Sequence, residues 1–75
     1  MIKNRDKKFI KLFGQNLRRI RLERGITQED LAHSADTPPS QIGRIERGEI
    51  NTTISTINAL SLALNIKPSE LFIFP

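Results

Sequence analysis

Turn-forming residues interrupt this 75-residue chain so often that no segment between them is long. The interruptions fall at Gly25, at residues 36–39, at residues 48–53 and at residues 65–68, and they leave five short segments. Apolar residues within these segments recur every three or four positions, and no alternating apolar and polar stretch is present. The sequence therefore predicts an all-α fold of five short helices.

Residues suited to helix ends bracket these segments. Gly25 and Asn65 suit the left-handed position that follows a helix, and Thr27 and Thr53 suit the N-cap position that precedes one. In the first segment, the residues at helical spacing are Phe9, Phe13, Leu17 and Ile20. In the fourth segment, they are Ile54, Ile57, Leu60 and Leu64.

Length and composition restrict the class of protein. Because domains usually exceed about 50 residues, we interpret residues 1–75 as one domain. The chain has no cysteine and one histidine, so we expect no disulfide, no metal site and no cofactor. No apolar run approaches the roughly 20 residues that span a bilayer, and the N-terminus lacks a signal-peptide pattern. These features predict a cytoplasmic protein in which about residues 1–5 form a flexible arm.

Positive charge is concentrated near the N-terminus. Residues 1–24 hold nine of the twelve Lys and Arg residues but two of the eight Asp and Glu residues, within a net charge of +4. A basic domain of this size is a candidate for binding a polyanion, either a nucleic acid or an anionic membrane surface. Charge alone does not separate these partners from an ordinary solvated helix surface.

Two strings of residues identify the central segments. Residues 25–32 (GITQEDLA) and 42–48 (IGRIERG) lie on the second and third segments, and two short helices joined by a tight turn form a helix-turn-helix. With Ala59, Leu60 and residues 68–72 (PSELF), they resemble the Cro-like and lambda-repressor-like helix-turn-helix regulators, the xenobiotic-response-element family. The resemblance covers about residues 15–72. It implies a five-helix, lambda-repressor-like DNA-binding domain and a sequence-specific transcriptional regulator, as among phage repressors and restriction–modification controller proteins.

The resemblance makes the segment that begins at Pro39 the recognition helix, which lies in the major groove of double-stranded DNA. Arg44 is its predicted base reader, because a guanidinium bonds guanine O6 and N7 together, worth roughly 1–3 kcal/mol of discrimination. The remaining contacts are expected to reach bases, thymine methyl groups or phosphates. The predicted DNA-binding residues are Gln28, Pro39, Ser40, Gln41, Gly43, Arg44, Arg47 and Asn51.

The resemblance also pairs Arg21 with Glu46 as an internal ion pair that ties the first helix to the recognition helix. Removing one partner of a buried pair leaves the other charge uncompensated, at roughly 3–5 kcal/mol. We therefore expect these two residues to support the fold rather than to contact DNA.

Three positions depart from the family pattern. Asp36 replaces the usual turn glycine, and aspartate tolerates a left-handed backbone better than most residues. Pro38 replaces the usual Ser or Thr cap, so the cap hydrogen bond is lost while Pro39 takes the first helical position. Gly43 falls on the predicted outward face of the recognition helix, which suggests a close approach of the helix backbone to DNA.

The chain ends in apolar residues, more than one short helix buries on one side. Either these residues fold onto the core or some of them form a contact between subunits, and we favour the second interpretation, with about residues 67–75 as a dimerisation segment. A two-fold dimer would present two recognition helices about 34 Å apart, one turn of DNA, and would read a palindromic site. The predicted dimerisation residues are Leu71, Phe72, Ile73 and Phe74.

Other functions remain open at this stage. An antitoxin-like or other protein-interaction module, and a role of the first helix at a membrane surface, are the alternatives, although we expect no membrane partner. RNA polymerase is a further candidate partner, through acids such as Glu29 or Asp30. Ser34 and Ser40 lack a neighbouring base and His33 lacks a partner, so we expect no enzyme.

Overall fold

A computed structural model describes residues 4–74, and every regular element in that range is helical. The four α-helices are α1 (Lys7–Glu23), α2 (Gln28–Ser34), α3 (Pro39–Glu46) and α4 (Ile54–Leu64). The all-α prediction is confirmed for this range, but the prediction of five helices is wrong for the last segment. Residues Pro68–Phe72 form a 3-10 helix, because a five-residue segment that gives way to extended backbone at Ile73 is too short for a second α-helical turn.

Side chains cap three of the α-helices. Thr27 Oγ1 accepts from the Asp30 backbone N at 3.0 Å, while the Asp30 carboxylate accepts from the Thr27 backbone N at 3.4 Å, which completes a capping box. Thr53 caps α4 and Asp6 caps α1 by the side-chain bond alone, accepting from the backbone N of Thr56 and of Phe9. These bonds satisfy backbone donors that a helix leaves unpaired, so the local sequence fixes where each helix begins.

The core lies between the helices on the faces that the apolar spacing predicts, but two residues of the predicted stripes lie outside it. Phe9 is 47% exposed and Ile54 is 84% exposed, because each lies at the start of its helix, beyond the edge of the core. Phe9 instead packs against the rings of Phe72 and Phe74. The buried apolar side chains are Phe13, Leu17, Ile20, Leu31, Ala32, Ala35, Ile42, Ile45, Leu60, Leu64 and Leu71.

Helices α1 and α3 approach each other closely at Gly14. A Cβ atom at this position would overlap the Ile45 backbone oxygen and lie 2.8 Å from the Glu46 backbone oxygen. Only glycine therefore allows the two backbones to come this near. The contact holds the end of α3 against α1.

Asn16 ties the C-terminal segment to α1. Its side chain is buried, and Nδ2 donates to the backbone oxygens of Leu71 at 2.8 Å and Glu70 at 3.2 Å. The buried amide therefore anchors the 3-10 helix to the first α-helix. Within residues 4–74, no helix combines the length and the hydrophobicity needed to cross a membrane.

Candidate nucleic-acid interface

Helices α2 and α3, with residues 35–38 between them, form the helix-turn-helix. Asp36 adopts the expected left-handed conformation, with φ of 51°, and the following Thr37 backbone N donates to the Ala32 backbone oxygen at 2.9 Å. Pro38 is the N-cap of α3 without a side-chain hydrogen bond, and Pro39 begins the helix. The turn therefore forms with the substituted residues that depart from the family pattern.

The leading end of α3 faces outward. Pro39 and Ser40 are exposed, Gln41 is half-buried, and Arg44 is exposed one turn further along. Ile42 and Ile45 are fully buried on the opposite face. The core contact of α3 thus leaves the first turn and Arg44 available to a partner.

The expectation that Gly43 lies on the exposed face is wrong. Gly43 is buried, because the side chains of Gln28 and Arg47 lie over it. A Cβ atom at Gly43 would lie 3.0 Å from Arg47 Nη1 and 3.5 Å from Gln28 Oε1. The glycine makes room for these two polar side chains, rather than presenting bare backbone to a ligand.

A buried polar network fixes the position of α3. Arg21 Nε donates to Glu46 Oε2 at 2.6 Å and Arg21 Nη2 to Glu46 Oε1 at 3.0 Å, with the two side chains 8% and 2% exposed. Gln28 Nε2 donates to the same Oε1 at 3.0 Å, and Arg21 Nη1 donates to the Ile26 backbone oxygen. The Glu46 hydrogen bond raises the pKa of Arg21, so the guanidinium stays charged despite its burial. The network links α1, α2 and α3 at one point.

Three charged side chains meet where α3 ends, and we call Arg44, Arg47 and Glu49 the arginine cluster. Arg47 Nε donates to Glu49 Oε2 at 2.6 Å, and Arg44 Nε lies 3.7 Å from Glu49 Oε1. The hydrogen bond from Arg47 lowers the pKa of the Glu49 carboxyl, with a smaller effect from Arg44, and the same bond raises the pKa of Arg47. Sequence reasoning selected both arginines but missed Glu49.

The N-terminal segment reaches this cluster. Arg5 Nη2 donates to the Glu49 backbone oxygen at 3.2 Å. The flexible arm was expected over about residues 1–5, of which residues 1–3 lie outside the described residues. Asn51 is exposed beside the aromatic rings of Phe9 and Phe72, and within residues 4–74 no hydrogen bond joins it to α3.

A basic depression borders the recognition helix on the α1 side. Lys11, Gln15 and Arg18 of α1 line it together with Gln28 and Arg47, and Glu46 lies at its base. The sequence prediction counted Lys11 and Arg18 as charges but assigned them no contact. Lys11, Gln15 and Arg18 are spaced by four and three residues, as the core residues of α1 are, but on the opposite face of the helix. This spacing is the sequence signal that would have grouped them.

The C-terminal apolar residues do not form one exposed patch. Leu71 is fully buried in the core, which corrects its assignment as a dimerisation residue. Its neighbours Phe72 and Ile73 are exposed and Phe74 is half-buried. The 3-10 helix turns Leu71 inward, Phe72 packs against the ring of Phe13, and Ile73 is the most exposed of these residues.

Comparison with known proteins agrees with this arrangement. The helix-turn-helix family model matches residues 17–71, which include all of α2, α3 and α4. The chain belongs to the helix-turn-helix family. Within that family it fits the Cro-like and lambda-repressor-like regulators that the sequence resembles. The prediction of a DNA-binding transcriptional regulator is therefore confirmed.

Named relatives are regulators. The chain is 41% identical over 64 residues to control protein C.BamHI of Bacillus amyloliquefaciens, covering 84% of this chain and 79% of that protein. It is 40% identical over 58 residues to the immunity repressor protein of Bacillus phage phi105, covering 77% of this chain and 40% of the repressor. Among solved structures, the restriction–modification controller protein C.AhdI of Aeromonas hydrophila gives a TM-score of 0.83 at 40% identity, over 89% of this chain and 100% of that one.

Proposed function

We propose that this helix-turn-helix regulator binds double-stranded DNA as a homodimer, with the leading end of α3 in the major groove of each half-site. The observation that carries the proposal is the exposure of that end and of Arg44, on a helix that the Arg21–Glu46–Gln28 network holds rigidly from behind. A rigidly held side chain keeps the geometry that base recognition needs. We place the protein in the cytoplasm, with its DNA target.

Base recognition is assigned to the exposed face of α3. Arg44 is the principal reader, since its guanidinium can bond guanine O6 and N7 at once. Ser40 and Gln41, one turn earlier, offer hydroxyl and amide groups to neighbouring bases, and Pro39 offers an apolar surface to a thymine methyl group. Together these residues span the first two turns of the helix.

Phosphate contacts are assigned to the basic depression. Lys11, Arg18 and Arg47 surround it, and Gln28 lies between α1 and α3 at its edge. Phosphate contacts fix the register of a protein on the duplex but carry little sequence information. The depression therefore supplies affinity, and the exposed face of α3 supplies selectivity. Asn51, outside both surfaces, is proposed as a flanking backbone contact.

The dimer contact is assigned to α4 and the residues after Leu71. Residues 54–66 contain no charged side chain, in a chain that is 27% charged. Ile54, Asn58 and Leu62 follow one another at four-residue steps along one exposed face of α4, and Ile73 is also exposed. An uncharged, partly apolar helix face suits a two-fold contact between copies of one chain.

A polymerase contact, where one exists, is assigned to Glu29 rather than Asp30. The Asp30 carboxylate completes the capping box of α2, whereas Glu29 is exposed in the first turn of the same helix. Within residues 4–74, the Glu29 carboxylate thus takes part in no hydrogen bond or ion pair, unlike that of Asp30. A regulator that lacks such a contact represses by occupying its site.

DNA binding is tested by titrating random duplex DNA at several salt concentrations and then selecting preferred sequences from a random pool. We expect steep salt dependence and an enriched palindrome. Arg44→Ala should weaken binding to the selected site by about 1–3 kcal/mol and relax the base preference at one position of that site. Arg24→Ala, which removes the same charge at the far end of α1 beside Ile66 and Ile73, is the matched control. Equal losses in the two variants would contradict the assignment of Arg44.

The dimer is tested by sedimentation. Leu62→Glu should shift the protein to a monomer, because it places a charge on the uncharged face of α4. Leu22→Glu, which makes the same change at another exposed leucine, on α1, should leave the association unchanged. A monomeric wild-type protein in a monomeric DNA complex would contradict the homodimer.

A further inference from the structure

Glu49 lies where three arginines meet. Its carboxylate accepts from Arg47 Nε at 2.6 Å and lies 3.7 Å from Arg44 Nε, while its backbone oxygen accepts from Arg5 at 3.2 Å. Two of these arginines, Arg44 and Arg47, are the ones that the proposed function places on DNA. A carboxylate therefore lies against both arginines and is hydrogen-bonded to one of them, Arg47.

The backbone holds Glu49 in this place. Its backbone N donates to the Arg44 backbone oxygen at 2.9 Å, which closes the turn at the end of α3. Gly48 before it is left-handed, with φ of 76°, and packs so closely on Lys11 that a Cβ atom would lie 2.8 Å from Lys11 Cα. The carboxylate is therefore directed by a fixed turn rather than by a loose loop.

The two arginines are held in different ways. Arg47 gives its Nε–H directly to the carboxylate, so moving it onto a phosphate requires that this bond be exchanged. Arg44 meets the carboxylate only with Nε, and its Nη1 and Nη2 have no hydrogen-bond partner within residues 4–74. Glu49 thus competes with phosphate at Arg47 while it leaves the outer end of the Arg44 guanidinium free for a base edge.

We propose that Glu49 is a specificity-determining residue that weakens binding to random duplex DNA more than binding to the preferred site. This inference rests on the proposed function. Non-specific binding depends almost wholly on phosphate contacts, so a carboxylate that occupies Arg47 and repels phosphate opposes it directly. Specific binding also gains from the base contacts of Arg44, whose outer guanidinium nitrogens Glu49 leaves free.

The expected effect is modest because all three side chains are exposed. An exposed ion pair is worth at most about a fivefold change in an equilibrium constant, and the repulsion between carboxylate and phosphate adds to it. Glu49→Gln removes the charge and keeps the shape. We expect it to raise the affinity for random duplex DNA about threefold to tenfold at low salt.

The experiment measures wild type, Glu49→Gln and Glu23→Gln on a random duplex and on the selected site, at several salt concentrations. Glu23→Gln is matched, because Glu23 is also an exposed carboxylate that accepts from an arginine, Arg19 Nη1 at 2.9 Å, but lies beside Ile66 and Ile73. For Glu49→Gln we expect a higher affinity for random duplex DNA, with a steeper salt dependence of that affinity. The affinity for the selected site should increase by a smaller factor. The ratio of specific to random affinity should therefore fall for this variant alone.

A second variant separates competition from a general charge effect. On an Arg47→Ala background, Glu49→Gln should gain less than half as much random-duplex affinity as it does in wild type, because the competition at Arg47 is gone. An undiminished gain would overturn the role of Arg47.

Three other outcomes would overturn the inference itself. They are a Glu49→Gln effect equal to that of Glu23→Gln, an equal gain on both duplexes, and a loss of random-duplex affinity. Each of them leaves the proposed function intact as long as the wild-type protein enriches a site. A wild-type protein that enriches no site would instead refute the proposed function, before Glu49 is in question.

Discussion

Two arginine–glutamate contacts near the end of α3 contain an Nε–Oε2 hydrogen bond of the same length but differ in their surroundings. In both, an arginine Nε lies 2.6 Å from a glutamate Oε2. Arg21 and Glu46 are 8% and 2% exposed and join α1 to α3, whereas Arg47 and Glu49 are 60% and 47% exposed and lie at the surface. The hydrogen-bond length therefore does not distinguish a contact that holds the fold from one that a ligand can exchange.

Burial makes that distinction. A buried charge that loses its partner is not rehydrated by water. Removing either Arg21 or Glu46 therefore destabilises the fold, because the other charge stays buried without a partner. An exposed charge is rehydrated, so the contact in the arginine cluster contributes little to the fold. The same side-chain chemistry thus holds the fold in one region and lies at the proposed binding surface in the other, although Glu46 and Glu49 are only three residues apart.

Arg21→Ala should have the largest effect. It leaves Glu46 buried with only Gln28 as a donor, and we expect it to lower the free energy of unfolding by about 3–5 kcal/mol in urea denaturation. Arg18→Ala, an exposed arginine on the same helix, should change it by less than about 0.5 kcal/mol. If both variants lose the same free energy of unfolding, burial is not what distinguishes the Arg21–Glu46 contact from the Arg47–Glu49 contact.

Gly14→Ala tests whether the buried contact between α1 and α3 also depends on close packing, and not only on the buried ion pair. The added Cβ atom would overlap backbone oxygens of Ile45 and Glu46, which cannot rotate away. We expect a loss of about 1–3 kcal/mol in the free energy of unfolding. Gln15→Ala is the neighbouring exposed control. Wild-type stability in Gly14→Ala would show that α1 and α3 separate without penalty.

Gly43→Ala makes the same change beside the arginine cluster and should have the opposite sign. The added Cβ atom meets only the ends of the Arg47 and Gln28 side chains, which can move, and alanine favours the helix. Chemical denaturation should show a gain of about 0.5–1 kcal/mol. Destabilisation would mean that Arg47 and Gln28 are fixed more firmly than surface side chains.

The titration of Glu49 gives the smallest effect. Because the hydrogen bond from Arg47 lowers its pKa in the folded protein, the contact is present above pH 4.5 and is lost as the pH falls through the lowered value. A titration of the Glu49 side-chain carbon by NMR should therefore have its midpoint below 4.5, and Arg47→Ala should raise that midpoint. An unchanged midpoint in the variant would remove Arg47 as the cause.

The sequence predicted the features that depend on neighbours in the chain. Thr27 and Thr53 cap helices, and Asp36 and Asn65 take left-handed conformations, because these properties follow from the residue and its immediate position. The helix-turn-helix was predicted from the short spacing of two segments and from the resemblance of their residues to a known family.

Features that depend on distant contacts were missed or wrongly assigned. Apolar spacing gives the face of a helix but not its depth, so Phe9 and Ile54 were placed in the core, and Leu71 at the surface. The close approach at Gly14 needs the path of α3, which no local pattern contains. Glu49 was missed because a turn, not a helical repeat, brings it to Arg47.

The two prolines that open α3 bear on how the protein meets a duplex. Each proline ring fixes φ, so the backbone at the leading end of the helix is restricted before any encounter with a duplex. Ordering a loose segment would subtract from the binding free energy, and a preorganised one avoids most of that loss. We therefore expect α3 to bind the duplex as a preorganised rigid element, without a slow folding step.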